Sequence, residues 1–143
     1  MAIVGFGFTK MLVEKKKQLS QKINIRNNIA IKNIEEHEFQ DLGDKKQGLK
    51  FAFEFISNYD PDAAEIRLLG EVFFIGEKAQ CEDILKGWKK DKNVPKGVMP
   101  NILNYALSRC NVQAICLSKD ASLPPPLPMP KLNNEKTDNS YIG

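Results

Sequence analysis

The segment from residue 100 to residue 132 constrains the fold of this chain more than any other. It begins as an apolar helix, passes through a short polar turn and ends in five prolines within seven residues. The helical part carries an apolar stripe broader than one small core covers, made of Met99, Ile102, Leu103, Ala106, Leu107, Cys110, Ala114, Ile115 and Leu117. The proline run is apolar where a flexible linker would be polar, and its apolar members are Leu123, Leu127, Met129 and Leu132. We therefore expect both parts to lie against a further apolar surface.

The length and composition fit one folded domain with a short tail. The chain has 143 residues and a mass of 16.2 kDa, with 42% apolar and 27% charged residues. We expect a single domain over residues 1–132 and a disordered tail over residues 133–143, which hold too little apolar surface to fold. No window approaches the ~18 consecutive apolar residues of a membrane span. The N-terminus lacks the basic stretch and long apolar core of a secretion signal.

Cysteine and histidine usage argues against metal and disulfide chemistry. Cys81, Cys110 and Cys116 are odd in number and form no C-x-x-C pair, and His37 is the only histidine. We therefore expect no metal site, no disulfide framework and free thiols in a reducing compartment, which makes the predicted location cytoplasmic.

The first half of the chain predicts β-strands, because apolar and polar residues alternate in it. The strands are expected around residues 6–13, 22–34, 49–55 and 64–75. The alternation breaks at Ile34, which predicts a β-bulge near Lys32 or Asn33. Since the connections are short, we expect antiparallel neighbours in a four-stranded meander or a close variant. The fourth strand is apolar on both faces, so the face without helices is expected to need cover from a partner or ligand.

The second half of the chain predicts two helices. Residues 79–90 place Cys81, Ile84, Leu85 and Trp88 on one helical face. A longer helix is expected from Pro100, which suits a first helical turn, to about Lys119. Strands followed by helices indicate an α+β fold, a four-stranded antiparallel sheet followed by a helical hairpin.

The chain offers no recognisable catalytic constellation. The sequence Gly5-Phe6-Gly7-Phe8 lies inside a strand pattern with no helix start after it, so it is not a phosphate-binding loop. His37 is the only imidazole available to activate a serine, and its acidic neighbours are typical of a solvated strand end. No enzyme activity, catalytic residue or cofactor is predicted.

Aromatic and long aliphatic side chains are in excess instead. Such a surplus indicates a groove for extended apolar segments of other proteins, bound partly by main-chain pairing at a sheet edge, together with self-association. The candidates for the groove are Phe51, Phe53, Phe55, Phe73, Phe74, Trp88 and Met99. The candidates for a contact between subunits lie on the long helix and are Ile102, Ala106, Leu107, Cys110 and Leu117. Which phenylalanines line a groove and which belong to the core depends on strand register.

The layout and one motif resemble the SecB export chaperones. In that family a proline opens the long helix, as in Pro100-Asn101-Ile102-Leu103, and a tyrosine-alanine pair and a cysteine follow, here Tyr105-Ala106 and Cys110. A proline-containing apolar stretch comes next, as at Leu123–Leu132. The resemblance covers residues 6–132, the strands only in pattern, and points to the divergent SecB-like proteins outside the main export system.

The resemblance implies a cytoplasmic homotetramer, a dimer of dimers, with no catalytic site and no cofactor. Such a protein holds unfolded client chains in aromatic-lined grooves and delivers them to a translocase. That family is acidic and docks the translocase ATPase through an acidic sheet surface, whereas this chain has a net charge of +3 and lysines on its strands. The resemblance therefore supports client holding by this chain more strongly than docking to the translocase ATPase. Some SecB-like relatives serve toxin–antitoxin pairs instead.

Three hypotheses follow for the function. The first is a non-catalytic oligomeric holdase that binds unfolded or extended client segments. The alternative is a structural or interaction subunit with one dedicated protein partner. A nucleic-acid-binding module is the weakest, because a net charge of +3 with dispersed lysines is too small an electrostatic footprint.

Overall fold

The computed structural model describes residues 2–19, 22–94 and 97–127. Its elements are β1 (Ala2–Lys15), β2 (Asn24–His37), β3 (Lys46–Asp60), β4 (Ala64–Glu77), α1 (Lys78–Asp91) and α2 (Met99–Asp120). The predicted α+β fold, a four-stranded antiparallel sheet followed by two helices, is confirmed. The predicted end of the domain at residue 132 and the tail over residues 133–143 lie outside the described residues.

The strand order in the sheet is β1-β4-β3-β2. A meander is therefore realised only by β2, β3 and β4, and the expectation that β1 and β2 are neighbours is wrong. The physical reason lies in β4: residues 68–75 are apolar apart from Glu71, so this strand belongs in the middle of the sheet, where β1 pairs with its second edge. This leaves β1 and β2 as the two edge strands.

Bulges adjust the register of both edge strands. The predicted bulge in β2 is confirmed, since the pairing with β3 shifts between Ile31 and Asn33. β1 shifts twice against β4, between Ile3 and Gly5 and between Phe8 and Lys10. Between these shifts Phe6 pairs with Val72 and Phe8 with Gly70. Because paired residues share a face of the sheet, both rings of β1 lie on the face that carries the buried side chains of β4.

The core lies between the two helices and one face of the sheet, which we call the inner face. Its largest side chains come from β3 and β4 and are almost completely buried, namely Leu49, Phe51, Phe53, Phe55, Tyr59, Ile66, Leu68 and Val72. α1 contributes Cys81 and Ile84, and α2 contributes Ile102, Ala106, Cys110 and Ala114. Pro100 stands in the first turn of α2, as predicted. The helices therefore cover the middle of the sheet and leave its edges more open.

Candidate functional site

The predicted groove residues fall on different sides of the molecule. Phe51, Phe53 and Phe55 are at most 1% exposed and lie in the core, under the helices. Phe74 is also buried on the inner face, at 6% exposure. Phe73 points to the opposite, outer face, because neighbouring residues of a strand alternate. The sheet therefore does not bring the five predicted phenylalanines together on one surface.

The other two groove candidates are partly buried on the helices. Trp88 packs against the core from α1, and the ammonium of Lys92 lies 5.7 Å from the centre of its ring. Met99 packs against the core at the start of α2. Client contacts by Phe73, Trp88 and Met99 stay a prediction.

The predicted subunit-contact residues divide by helix face. Ile102, Ala106 and Cys110 are at most 1% exposed, because they face the chain's own sheet. Leu107 and Leu117 are partly buried, and the outward-facing Val112, which sequence reasoning did not single out, is 65% exposed. A second subunit that packs on α2 therefore meets its outer side, and a contact through that side stays a prediction.

The largest aromatic assembly joins β1 to α2. The Phe6 ring lies 5.0 Å from Phe8, 5.4 Å from Phe53 and 5.8 Å from Tyr105, measured between ring centroids. Phe6, Phe8 and Tyr105 are only partly buried, so their rings form a surface continuous with the core, which we call the aromatic surface. The guanidinium carbon of Arg109 lies 5.0 Å from the centre of the Phe6 ring, within reach of a cation–π contact.

The edge of the sheet beside the aromatic surface is apolar. β1 is 14 residues long, and its Val4 and Met11 are 49% and 47% exposed. The opposite edge strand, β2, carries more asparagine and charged side chains than β1 does, and charged side chains protect an edge from pairing. A long apolar edge strand invites pairing with a further extended chain. β1 therefore combines a main-chain edge with aromatic side chains on one side of it.

Sequence reasoning missed this surface. Phe6 and Phe8 were visible as aromatic residues of an alternating strand, and Tyr105 served only as part of a motif. What joins them is the pairing of β1 with β4, which places β1 beside α2. The only local signal was the repetition of glycine and phenylalanine at residues 5–8, which leaves the rings without bulky neighbours in the strand.

The start of the proline run lies against the chain's own sheet, whereas the sequence predicted only an unspecified apolar surface. Leu123 is 6% exposed and Pro126 is buried. The Tyr59 hydroxyl donates a hydrogen bond to the Pro124 carbonyl at 2.5 Å, and the Asn27 side-chain amide donates one to the Pro126 carbonyl at 2.8 Å. Since proline has no N–H, its carbonyls are the main-chain groups by which the run can be held. Residues 128–132 of the predicted stretch lie outside the described residues.

The outer face of the sheet is covered in large part by ion pairs. Lys50 contacts Glu35 at 2.6 Å and Glu71 at 3.4 Å, and Arg67 contacts Glu65 at 2.9 Å and Glu54 at 3.4 Å. The hydrogen bond from Lys50 lowers the pKa of Glu35, and the bonds to Glu65 and Glu35 raise the pKa values of Arg67 and Lys50. The expectation that β4 is apolar on both faces holds for only part of its outer side, where Leu69, Phe73 and Ile75 are apolar and Glu65, Arg67, Glu71 and Glu77 are charged.

The apolar part of the outer face has local cover. The Phe73 ring lies 4.9 Å from the His37 ring and 6.3 Å from the Phe39 ring. Gly5 on β1 leaves room for Phe73, because a Cβ at that position would lie 3.2 Å from the phenylalanine ring. This cluster and the aromatic surface lie on opposite faces of the sheet.

The described residues show little apparatus for chemistry. Burial raises the pKa of the Cys110 thiol to about 12, and burial is also the main cause of the raised pKa of Cys81, so both thiols are protonated at neutral pH. Within residues 2–19, 22–94 and 97–127, no three histidine, cysteine or acidic side chains come together as a metal-binding group. No helix in the same ranges is long and apolar enough to cross a membrane.

Four antiparallel strands followed by two helices covering one face constitute a SecB-like α+β fold. Among solved structures, the chain is similar to the Mycobacterium tuberculosis SecB-like chaperone Rv1957, determined in complex with a ChAD peptide from the Rv1956 HigA1 antitoxin. The TM-score is 0.52 at 10% sequence identity, over 93% of this chain and 91% of that chain. No protein-family model matches the sequence, and no curated protein is significantly similar to it. The likeness thus supports the fold.

Proposed function

We propose that this protein is a non-catalytic, chaperone-like peptide-binding protein that holds extended apolar segments of client proteins. The observation that carries the proposal is the aromatic surface of Phe6, Phe8 and Tyr105 beside the apolar edge of β1. An extended apolar segment has unpaired main-chain groups and apolar side chains. The edge of β1 can pair with the main-chain groups, and the aromatic surface can bury the side chains. The similar Mycobacterium protein was solved with a bound peptide, which is in keeping with this use of the fold.

The binding energy in this proposal comes mainly from ring burial. Apolar area removed from water is worth about 25 cal/mol per Å², and aromatic contacts add about 0.5–1.5 kcal/mol per pair. Neither contribution depends on a particular client sequence. A surface of this kind therefore suits a holdase that accepts many clients.

The charges on the outer face of the sheet are relevant to whether an export ATPase docks there. Docking through an acidic sheet surface requires carboxylates that are free to meet a basic partner. Here Glu35, Glu54, Glu65 and Glu71 are already paired with Lys50 or Arg67. We therefore propose client holding in the cytoplasm without docking of an export ATPase on this face.

The first test is suppression of client aggregation. A reduced, unfolding client protein is mixed with the full chain at stoichiometric ratios, and light scattering is followed with time. We expect the scattering to fall as the protein is added. Unchanged scattering in the presence of excess protein contradicts the proposal.

Self-association through the outer side of α2 is a second part of the proposal. We expect the solution mass to be that of an oligomer, a dimer of dimers by the SecB resemblance. Val112→Asp should lower the mass because it places a charge in an apolar contact, and Val112 is exposed enough in the single chain for the fold to tolerate it. Val4→Asp, at an exposed apolar position of β1, is the matched control. If Val4→Asp lowers the mass and Val112→Asp does not, the subunit contact lies at the sheet edge and not on α2. If the wild type is a monomer, the proposal of self-association is wrong.

One observation favours the alternative, a subunit with one dedicated partner. The similar structure holds a peptide from a single antitoxin. Isolation of bound proteins separates the two functions: a mixture of clients supports the holdase, and one stoichiometric protein supports the dedicated partner.

A further inference from the structure

A positive charge lies over the aromatic surface. The guanidinium carbon of Arg109 is 5.0 Å from the centre of the Phe6 ring, and the same ring contacts Tyr105, one turn earlier on α2. Arg109 is exposed, so its charged group is open to solvent and to anything that binds beside it. The three rings of the surface, Phe6, Phe8 and Tyr105, carry no charge at neutral pH. Arg109 therefore gives an otherwise apolar surface a positive charge.

Arg109 differs from the other two arginines of the chain in its partners. Arg26 and Arg67 each form ion pairs with carboxylates. Within residues 2–19, 22–94 and 97–127, Arg109 forms neither an ion pair nor a hydrogen bond, and its contact is with the Phe6 ring. Its N–H donors are thus free to bind an acceptor from outside these residues.

The elements around Arg109 bring no carboxylate to it. The only acidic residue of α2 is Asp120, which lies about 16 Å further along the helix. The only acidic residue of β1 is Glu14, near the other end of that strand from Phe6. Glu71 of the neighbouring strand β4 points to the outer face, because residues of a strand alternate between faces. A carboxylate partner would therefore have to come from a bound molecule.

The position over a ring suits a guanidinium for binding such a carboxylate. A guanidinium is planar, so when one face lies over an aromatic ring its N–H groups remain free to donate from its edge. Two parallel hydrogen bonds to one carboxylate are then possible. The ring contact also limits the conformations of the long arginine side chain, which lowers the entropy lost when a ligand binds.

We propose that Arg109 determines the charge preference of the aromatic surface by binding a side-chain carboxylate of the client segment. The inference rests on the proposed peptide-binding function and narrows its substrate class. The favoured segments are extended and apolar and carry an aspartate or glutamate beside the apolar side chains that lie on the rings.

The test measures how the full chain distinguishes a charged side chain from a neutral one of the same length. The probes are short fluorescein-labelled peptides of alternating leucine and serine that end in an amide. One serine at a time is replaced by glutamate in one series and by glutamine in the other. Fluorescence anisotropy gives the dissociation constants. For the wild type we expect glutamate at one position to bind about three- to fivefold more tightly than glutamine there, the strength of a well-placed exposed ion pair.

Two variants assign this preference to Arg109. Arg109→Gln removes the charge, so the ratio of the glutamine to the glutamate dissociation constant should fall to about one. Lys119→Gln removes the same charge from an exposed position near the end of α2, and as the matched control it should keep the ratio of the wild type. Comparing ratios within each protein removes any general change in affinity.

The outcomes separate this inference from the proposed function. A wild type that binds none of the peptides defeats the proposed function itself. Peptide binding by the wild type without a preference for glutamate at any position overturns the role of Arg109 alone. A preference that Arg109→Gln retains, or that Lys119→Gln abolishes, overturns it as well.

Discussion

Two buried side chains of the core can lose a proton only at strongly alkaline pH. Cys110 and Tyr59 are both fully buried, and desolvation raises the pKa of each to about 12 from ordinary values of 9.0 and 10.0. The neutral form of each is therefore favoured by the folded state. In the unfolded chain the same groups ionise at their ordinary values, so folding holds protons that the unfolded state releases.

This difference predicts a loss of stability at high pH. Below about pH 9 both states keep these protons and the pKa shifts have no effect. As the pH rises from about 9 towards 12, the free energy of unfolding should fall, by up to about 1.4 kcal/mol per pH unit for each such group. Urea unfolding at a series of pH values measures the slope.

Cysteine variants assign part of that slope. Cys110→Ala should make the decline between about pH 9 and 10 shallower, because in the unfolded chain the cysteine has an ordinary pKa of 9.0 and ionises before the tyrosine, whose ordinary pKa is 10.0. Cys116→Ala, at an exposed cysteine, should leave the slope unchanged. A free energy of unfolding that is level or rises over this range contradicts the assignment.

At the scale of elements, the pairing of β1 with β4 depends on a glycine. A Cβ on Gly70 would lie 2.5 Å from the Gly7 carbonyl oxygen and 2.5 Å from the Phe53 ring, whereas a Cβ on Gly7 would meet nothing within 4 Å. Gly70 thus lets the edge strand and the aromatic core approach each other closely. The aromatic surface depends on this approach.

The two glycines predict opposite outcomes for the same substitution. Gly70→Ala should lower the free energy of unfolding by about 1–3 kcal/mol, since the added methyl overpacks the contact. Gly7→Ala should be neutral or slightly stabilising, because alanine restricts the unfolded chain and finds open space in the folded one. Urea midpoints of the two variants provide the comparison. Equal effects of the two changes are inconsistent with the close packing at Gly70.

Individual elements could be predicted from the sequence, and their arrangement only in part. Alternation located the strands, the phase break at Ile34 located the bulge in β2, and Pro100 located the start of α2. These signals are local, since each depends on residues a few positions apart. The neighbour of β1 is not a local property, and the meander expectation failed there.

At the scale of the whole molecule, the candidate site was missed for the same reason, because local sequence signals do not predict tertiary contacts. Phe51, Phe53 and Phe55 were recognised as one face of a strand, but whether helices cover that face is decided by tertiary packing. The aromatic surface is formed by β1, β3 and α2 together, so it cannot be predicted from any one segment of the sequence. The sequence predicted aromatic residues in these segments. It did not predict that their rings come together in the fold.

The molecule as a whole has two unlike sheet faces. The outer one is largely neutralised by its own ion pairs, and the inner one carries the core, the proline run and the aromatic surface. We therefore propose that peptides bind on the inner side, at β1 and α2. This is the central claim.

Peptide affinity in matched aromatic variants tests that claim most directly. The probe is a short fluorescein-labelled peptide of alternating leucine and serine, and fluorescence anisotropy gives its dissociation constant. The proteins compared are the wild type, Phe6→Ala, Tyr105→Ala and Phe39→Ala, the last in the outer-face cluster. We expect Phe6→Ala and Tyr105→Ala to weaken binding by about tenfold, since each removes about 1–2 kcal/mol of ring contact. Phe39→Ala should bind as the wild type does. Binding that is lost with Phe39→Ala and kept with Phe6→Ala and Tyr105→Ala contradicts the account.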